Sequence, residues 1–317
     1  MIAERLDTPS RVSLALTCRF LRALCFPLNL ELNKEEKQTL LLLLEKDTSK
    51  HYFCHFCNKL HAWNMKRSRP RPNFILEDSR CKPMIEGSRL FLDSSVCRMK
   101  YNYARLIMNR HFYGPEHGLP LRDFQRKRDR RSRECGISGT VTSSCRIVDD
   151  KLLILRVNNL QGDRVGLSRY FRRYQEKFCI HIYPEIEYRA YVPRVQLPEL
   201  EVERKTKDFV PCHQSFRSCS ICLTDYSIEI TRRPKGNYNI KLLVYNQLGE
   251  CRSPHDWNWK IMTSLWTTQK AGRRANFPLE YAPGSIVDRW NKGDGIESKT
   301  ESTWVEIPDN FPWNRRL

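Results

Sequence analysis

Residues 140–158 read TVTSSCRIVDDKLLILRVN. Segments 140–148 and 151–158 within this stretch are rich in β-branched side chains and roughly alternate, the texture of strands that bury one face. The same texture returns at 178–183 and 186–192, with 168–176 reading as a short helix before them. Two more strand signals, Tyr226–Arg232 and Tyr238–Tyr245, are joined by RPKGN, a plausible hairpin loop. Upstream the signal is helical. Asn33 and Glu36 have the spacing of a capping box, opening a helix through Leu40–Leu44 that ends near Asp47. Residues 94–112 read as another helix, with Val96, Cys97, Tyr103 and Ile107 on its apolar side. The expected fold is α+β: helices to about residue 112, then a mostly antiparallel sheet.

Within that fold, 1–30 form a helical opening segment and 31–317 a larger α+β body. The body divides into a helical, basic stretch at 31–135, a β-rich stretch at 136–250 and a weakly periodic stretch at 251–317 holding six of the seven tryptophans. A content of 40% hydrophobic and 11% aromatic residues in 317 is enough to bury a core. No apolar run approaches the ~18 residues of a membrane span, since the longest, Leu40–Leu44, is five leucines. Glu4 and Asp7 stand where the basic region of a secretory signal would lie. The cytoplasm or nucleus is therefore expected.

The net charge of +19 is uneven. Residues 51–135 carry 19 basic and 8 acidic side chains, more than half the excess in about a quarter of the chain. Two basic runs stand out. MKRSRPRPN at 65–73 has prolines that forbid a helix, and RDFQRKRDRRSR at 122–133 reads as a helix end or a mobile loop.

Thirteen cysteines in an intracellular chain are not a disulfide framework. Cys18 and Cys25 read as small buried hydrophobes. Others stand at metal-ligand spacing. Cys54-x-x-Cys57 puts two thiolates on one tight knuckle, His61 follows, and Cys81 can complete four ligands. Cys219-x-x-Cys222 is a second knuckle. Cys179 and His181 alternate in FCIHIY and share one face of a strand, giving a second set of Cys179, His181, Cys219 and Cys222. A single site joining both knuckles is the alternative, because closing a loop of roughly 160 residues costs only logarithmically more than a short one. Cys212 and His213 flank the second knuckle, but adjacent residues rarely ligate one ion. Zinc in a structural role is the cofactor these spacings imply, because a closed four-ligand shell leaves no position for substrate. SCSICLTDY resembles the start of a RING finger, yet the C-x-H-x-x-C centre that a RING requires is missing, which rejects that identity.

The opening residues, MIAERLDTPSRVSLALTCRFLRALC, carry the remaining signal. Leu14, Cys18, Leu21 and Cys25 recur at i, i+4, i+7 and i+11, one helix face, with Thr8 as its cap and Pro9 in its first turn. Ile2 and Leu6 form an i, i+4 pair on a shorter helix before it. The bland alternative is an ordinary helical hairpin. LDTPS and VSLALTCRFLRAL resemble the F-box of filamentous-fungal F-box proteins, and HYFCHFCNKLH, MNRHFYGPEHGLPL, SCSICLTDYSIEI and YNQLGECRSPHDWNWK extend the resemblance over most of the chain. The Leu-Pro pair that normally opens such a box is absent, so residues 1–30 are expected to form a partial F-box. The resemblance implies docking on the Skp-family linker protein of a cullin-based ubiquitin ligase, through Ile2, Leu6, Leu14, Leu16 and Leu21, with the rest of the chain holding a protein client. It implies no catalytic residues.

Chemistry of an enzyme is not evident. There is no Gly-rich phosphate loop, nucleophile elbow or H-E-x-x-H, and 13 glycines are few for a nucleotide-binding fold. His111, Glu116 and His117 read as a surface turn rather than an acid–base pair. The rival to an adaptor is a zinc-stabilised nucleic-acid binder, in which the basic runs meet phosphate and Trp63, Tyr101 and Tyr103 stack bases.

Overall fold

A computed structural model describes residues 5–26, 31–63, 89–91, 98–174, 179, 212–219, 221–263, 281–297 and 299–305. The chain forms two compact units, Met1–Met84 with Arg105–Pro120, and Ile85–Ala104 with Leu121–Leu317. The architecture is α+β with a mostly antiparallel sheet. No helix among the described residues is long and apolar enough to cross a membrane.

The first unit opens with α1 (Thr8–Ala15) and α2 (Arg19–Cys25). The helix face counted through Leu14, Cys18, Leu21 and Cys25 assumed one continuous helix; two form instead. Thr17 Oγ1 donates back to the Leu14 carbonyl at 2.7 Å, and Cys18 turns extended, so the α1 ladder ends. Cys18 is exposed and caps α2 through its sulfur, which accepts the Leu21 N–H at 3.4 Å. Asp7 rather than Thr8 caps α1, accepting the Ser10 N–H at 3.1 Å, with Pro9 in the first turn. Val12, Ala15 and Cys25 are buried, and α1 packs on α2 and on α3 (Lys34–Asp47). The capping box at the start of α3 is complete. The Asn33 side chain accepts the Glu35 and Glu36 N–H groups, and Glu36 accepts the Asn33 N–H at 3.0 Å. A hairpin of β1 (His51–Cys54) and β2 (Lys59–Ala62) follows.

Helix α4 (Tyr101–Tyr113) contributes Tyr101–Ala104 to the second unit and the remainder to the first. It starts later than residue 94, because Arg98–Lys100 form β4, paired with β3 (Arg89–Phe91). After α4 the chain doubles back at Gly118. A Cβ there would fall 1.7 Å from the Leu106 carbonyl oxygen, so only glycine allows the Leu119 N–H to reach that oxygen at 3.2 Å.

The second unit is built on a seven-stranded sheet. Its strands are β5 (Arg126–Ser132), β6 (Ile137–Val148), β7 (Lys151–Asp163), β8 (Cys212–Cys219), β9 (Thr224–Arg232), β10 (Asn237–Gly249) and β11 (Ser302–Val305), in the order β11-β8-β9-β10-β7-β6-β5. Every pairing is antiparallel except the parallel β11–β8 edge. Asp149 and Asp150, at φ 49° and 59°, turn β6 into β7 in a two-residue loop. Positive φ at both positions matches the right-handed twist of the strands. Register aligns Leu160, Ile240 and Ile230 across β7, β10 and β9, all buried.

Helices α5 (Arg164–Tyr174), α6 (Trp257–Thr263) and α7 (Ser285–Lys292) pack on this sheet. Thr224 and Asp225, neighbours on β9, point to opposite faces. Thr224 Oγ1 contacts Met262 of α6, and Asp225 receives the start of α7. Trp259 of α6 is wholly buried edge-on to Tyr101, whose hydroxyl donates to the Cys251 carbonyl at 2.9 Å. On α7, Trp290 lies under the Arg146 guanidinium at 4.0 Å.

Two expectations change here. The run 122–133 is neither helix end nor loop: after a 3-10 turn at Leu121–Phe124 it becomes β5, at a sheet edge. The stretch 251–317, read as weakly periodic, supplies α6, α7 and β11; elements of seven, eight and four residues are too short to show a period. The strand signals at 186–192 lie outside the described residues, as does 178–183 apart from Cys179.

Candidate metal centres

The first knuckle sits on the β1–β2 hairpin. Cys54 ends β1, Cys57 lies in the turn, and Asn58 takes a left-handed φ of 52° while its N–H returns to the Cys54 carbonyl at 2.9 Å. Asn tolerates that conformation better than most residues. The turn brings Cys57 Sγ to 2.8 Å from Nε2 of His61 on β2. The donor atoms of Cys54, Cys57 and His61 all lie within 4.8 Å of one another. Cys54 and His61 are buried and Cys57 is half-buried. Tyr52, opposite His61 in register, stacks on its ring with centroids 5.7 Å apart.

Behind this hairpin stands a buried ion pair that the sequence reading missed. Glu45, on α3, accepts from Phe53 N at 2.8 Å, from Asn109 Nδ2 at 2.9 Å and from Arg105 Nε at 2.9 Å, and also pairs with Arg105 Nη2. Arg105 reaches His55, inside the knuckle, with Nη1 at 3.5 Å from Nε2. Glu45 and Arg105 are each about 1% exposed. The carboxylate therefore ties α3, β1 and α4 together one residue before the first ligand. Glu45 closes a leucine run and Arg105 lies 60 residues on, so no local pattern pairs them.

The second knuckle closes the gap between β8 and β9. Cys219 ends β8, Cys222 precedes β9, and Cys179 joins them, again with sulfurs within 4.8 Å of one another. All three are buried to 2% exposure or less. Burial pushes the Cys219 and Cys222 thiols well above their usual value, and hydrogen bonding to Cys179 pushes both further the same way. A bound cation reverses that preference, because it supplies the positive charge that burial denies the thiolates. Thr224 Oγ1 lies 3.2 Å from Cys222 Sγ, a hydrogen-bond partner for a ligating sulfur.

Three ligands from each expected set are thus brought together. Cys81 and His181, the expected fourth ligands, lie outside the described residues. Among the described residues the donor atoms gather as two sets, one in each unit. Soft sulfur and imidazole donors in tight clusters fit a metal ion of zinc's class.

Of the expected docking residues, Ile2 lies outside the described residues. Leu6, Leu14 and Leu21 are half-buried, and Leu16 is 50% exposed. Phe20 at 70% and Leu24 at 53% are also exposed, one turn apart on α2. Counting across the break between the helices put Leu21 on the outer face in their place. The i, i+4 spacing of Phe20 and Leu24 was the available signal.

No family model matches the chain, and comparison with curated proteins and with solved structures finds no similar protein.

Proposed function

We propose that this protein is a non-catalytic adaptor: α1 and α2 dock on the Skp-family linker of a cullin-based ubiquitin ligase, and the body behind them holds a protein client. The observation that carries the reading is the exposed trio Leu16, Phe20 and Leu24. Scattered apolar side chains on a surface need no explanation, but Phe20 and Leu24, at i, i+4 on one face of α2, are exposed together, and Leu16 is exposed just before that helix. The resemblance of residues 6–24 to an F-box supplies the partner. Zinc is the ion proposed for the two cysteine sets, in a structural role. It pins the β1–β2 turn in one unit and the β8–β9 connection in the other.

The test is capture of a purified Skp-family linker by the full chain. Phe20→Asp with Leu24→Asp should abolish capture and leave the melting temperature within a few degrees, because both side chains already face water. Failure of the unaltered chain to capture the linker overturns the docking reading.

A further inference from the structure

Behind the second cysteine cluster lies a group of buried polar side chains on one face of the sheet. Thr224, the first residue of β9, stands directly opposite Asn246 of β10, so their side chains share that face. Asn246 Nδ2 donates to Thr224 Oγ1 at 2.8 Å. Two sulfurs flank the same hydroxyl: Cys222 Sγ at 3.2 Å and Met262 Sδ, on α6, at 3.9 Å. The Thr224 N–H returns to the Cys222 carbonyl at 2.8 Å, which keeps the hydroxyl beside that sulfur. Thr224, Asn246, Cys222 and Met262 are each 1% exposed or less.

Asn246 is a costly residue in this place. Its Oδ1 is buried without a hydrogen-bond partner among the described residues, so an apolar side chain there would cost less. What the amide contributes is direction. A threonine hydroxyl has one proton and two lone pairs. Asn246 fills one lone pair, which leaves the proton and the other lone pair for the two sulfurs. A thioether only accepts, so Met262 can take nothing but the proton. Cys222 can act either way. As a thiol it donates to the open lone pair, and the hydroxyl proton then serves Met262. As a thiolate it only accepts, and a charge-assisted hydrogen bond outranks one to a neutral thioether.

We propose that Thr224 is a positioning residue of the second metal centre: its hydroxyl, aimed by Asn246, donates to the metal-bound sulfur of Cys222 in preference to Met262. The inference rests on the metal reading of this cluster. Metal ligation displaces the Cys222 thiol proton to solvent, and the hydroxyl turns to the charge left on the sulfur. Three thiolates on one divalent ion carry surplus negative charge, and in a fully buried site water does not disperse it. The Thr224 hydroxyl is the donor in place to do so. Asn246, which touches neither the ion nor a ligand, acts through Thr224.

Cobalt(II) exchanged into the full chain is the probe, because its sulfur-to-cobalt absorption reports the charge on the sulfurs. Difference spectra against the unaltered chain cancel the first site. In Thr224→Val the band should move to longer wavelength, since a sulfur without its donor gives up an electron more easily. Cobalt affinity, read by competition with a chelator, should fall about tenfold to hundredfold. Thr224→Ser should restore both. Asn246→Leu alone should move the band part of the way, because the hydroxyl is no longer aimed. Met262→Leu conserves volume and removes the competing acceptor, so the band should stay in place and the affinity should hold within about twofold. An unmoved band in Thr224→Val, or a Met262→Leu effect as large as that of Thr224→Val, overturns the inference and leaves the metal reading standing. Absence of cobalt uptake by the unaltered chain overturns the metal reading itself. Where Thr224→Val alone folds poorly, Thr224→Val with Asn246→Leu removes both polar partners together and reads the same band.

Discussion

Among the described residues each unit carries one cysteine cluster and one deeply buried carboxylate, and the two units hold both in opposite ways. In the first, Glu45 faces a guanidinium, and the cluster mixes two sulfurs with an imidazole and includes the half-buried Cys57. In the second, Asp225 meets only neutral donors. The Ser218 hydroxyl reaches Oδ1 at 2.5 Å, the Ile286 and Val287 N–H groups reach Oδ2 at 3.0 and 3.2 Å, and the cluster is three fully buried sulfurs. A charge balanced by a charge responds to loss of its partner; a charge balanced by dipoles responds to pH. A half-buried ligand exchanges with solvent; a fully buried one exchanges when its surroundings open.

The largest contrast should come from the clusters. Structural zinc contributes roughly 10–16 kcal/mol in small domains, which rivals the entire ~5–15 kcal/mol stability of a typical fold. Cys219→Ser should therefore abolish cooperative unfolding of the second unit, while Cys57→Ser should release one ion per chain and leave the sheet intact. Metal content by plasma mass spectrometry, read beside near-ultraviolet circular dichroism, checks both. A chelator should strip the first site faster than the second. An unchanged metal content in Cys219→Ser removes the second centre.

The ion pair ranks next. Glu45→Ala leaves Arg105 buried without its carboxylate, a loss worth about 3–5 kcal/mol. Replacing both, Glu45→Met with Arg105→Met, should cost less than the single change, because no orphaned charge remains. Denaturant unfolding of the three variants decides it, and a double variant weaker than the single one contradicts the argument.

Asp225 supplies the pH arm of the contrast. Burial raises its pKa from 3.8 to about 6, against the lowering effect of the Ser218 hydroxyl and the Val287 and Ile286 N–H groups. The folded state therefore holds the proton more tightly than the unfolded chain. The resulting stability is fully present below about pH 4 and is lost as pH rises through about 6, a change of about 3 kcal/mol for this group. Asp225→Asn should flatten that slope, since the amide oxygen still accepts from α7 and Ser218 can turn to accept from the amide. Unfolding free energies at pH 4, 5, 6 and 7 test it, and a slope that survives in Asp225→Asn locates the titration elsewhere.

The same two carboxylate sites show what was legible in the chain. The α3 start was readable because Asn33 and Glu36 make their hydrogen bonds within three residues, where sequence spacing equals spatial spacing. The α7 start was not. Its first residues follow Gly284, which has no side chain to cap them, and the capping carboxylate lies 61 and 62 residues earlier on β9. The metal knuckles were legible for the same local reason as α3: C-x-x-C fixes two sulfurs on one turn. The third ligand of each set was found because His61 is four residues away and because Cys179 was matched by ligand type rather than by distance. The strand nature of 126–132 was hidden, because arginine and lysine have weak strand preference and the pattern is set by pairing with β6.

Local capping and remote capping therefore make the smallest and cleanest contrast. Asn33→Ala removes the oxygen that accepts the Glu35 and Glu36 N–H groups at 3.0 and 2.9 Å, on a helix end exposed to water. Water replaces that oxygen, so the loss should be about 1 kcal/mol. At the α7 start, Asp225→Ala leaves the Ile286 and Val287 N–H groups buried with no water to replace the carboxylate, so the loss should be at least twice as large. Chemical denaturation of the two variants at pH 5, below the pKa of Asp225, removes the charge from the comparison and leaves the hydrogen bonds. Equal losses there would mean that solvent reaches the α7 start as freely as it reaches the start of α3.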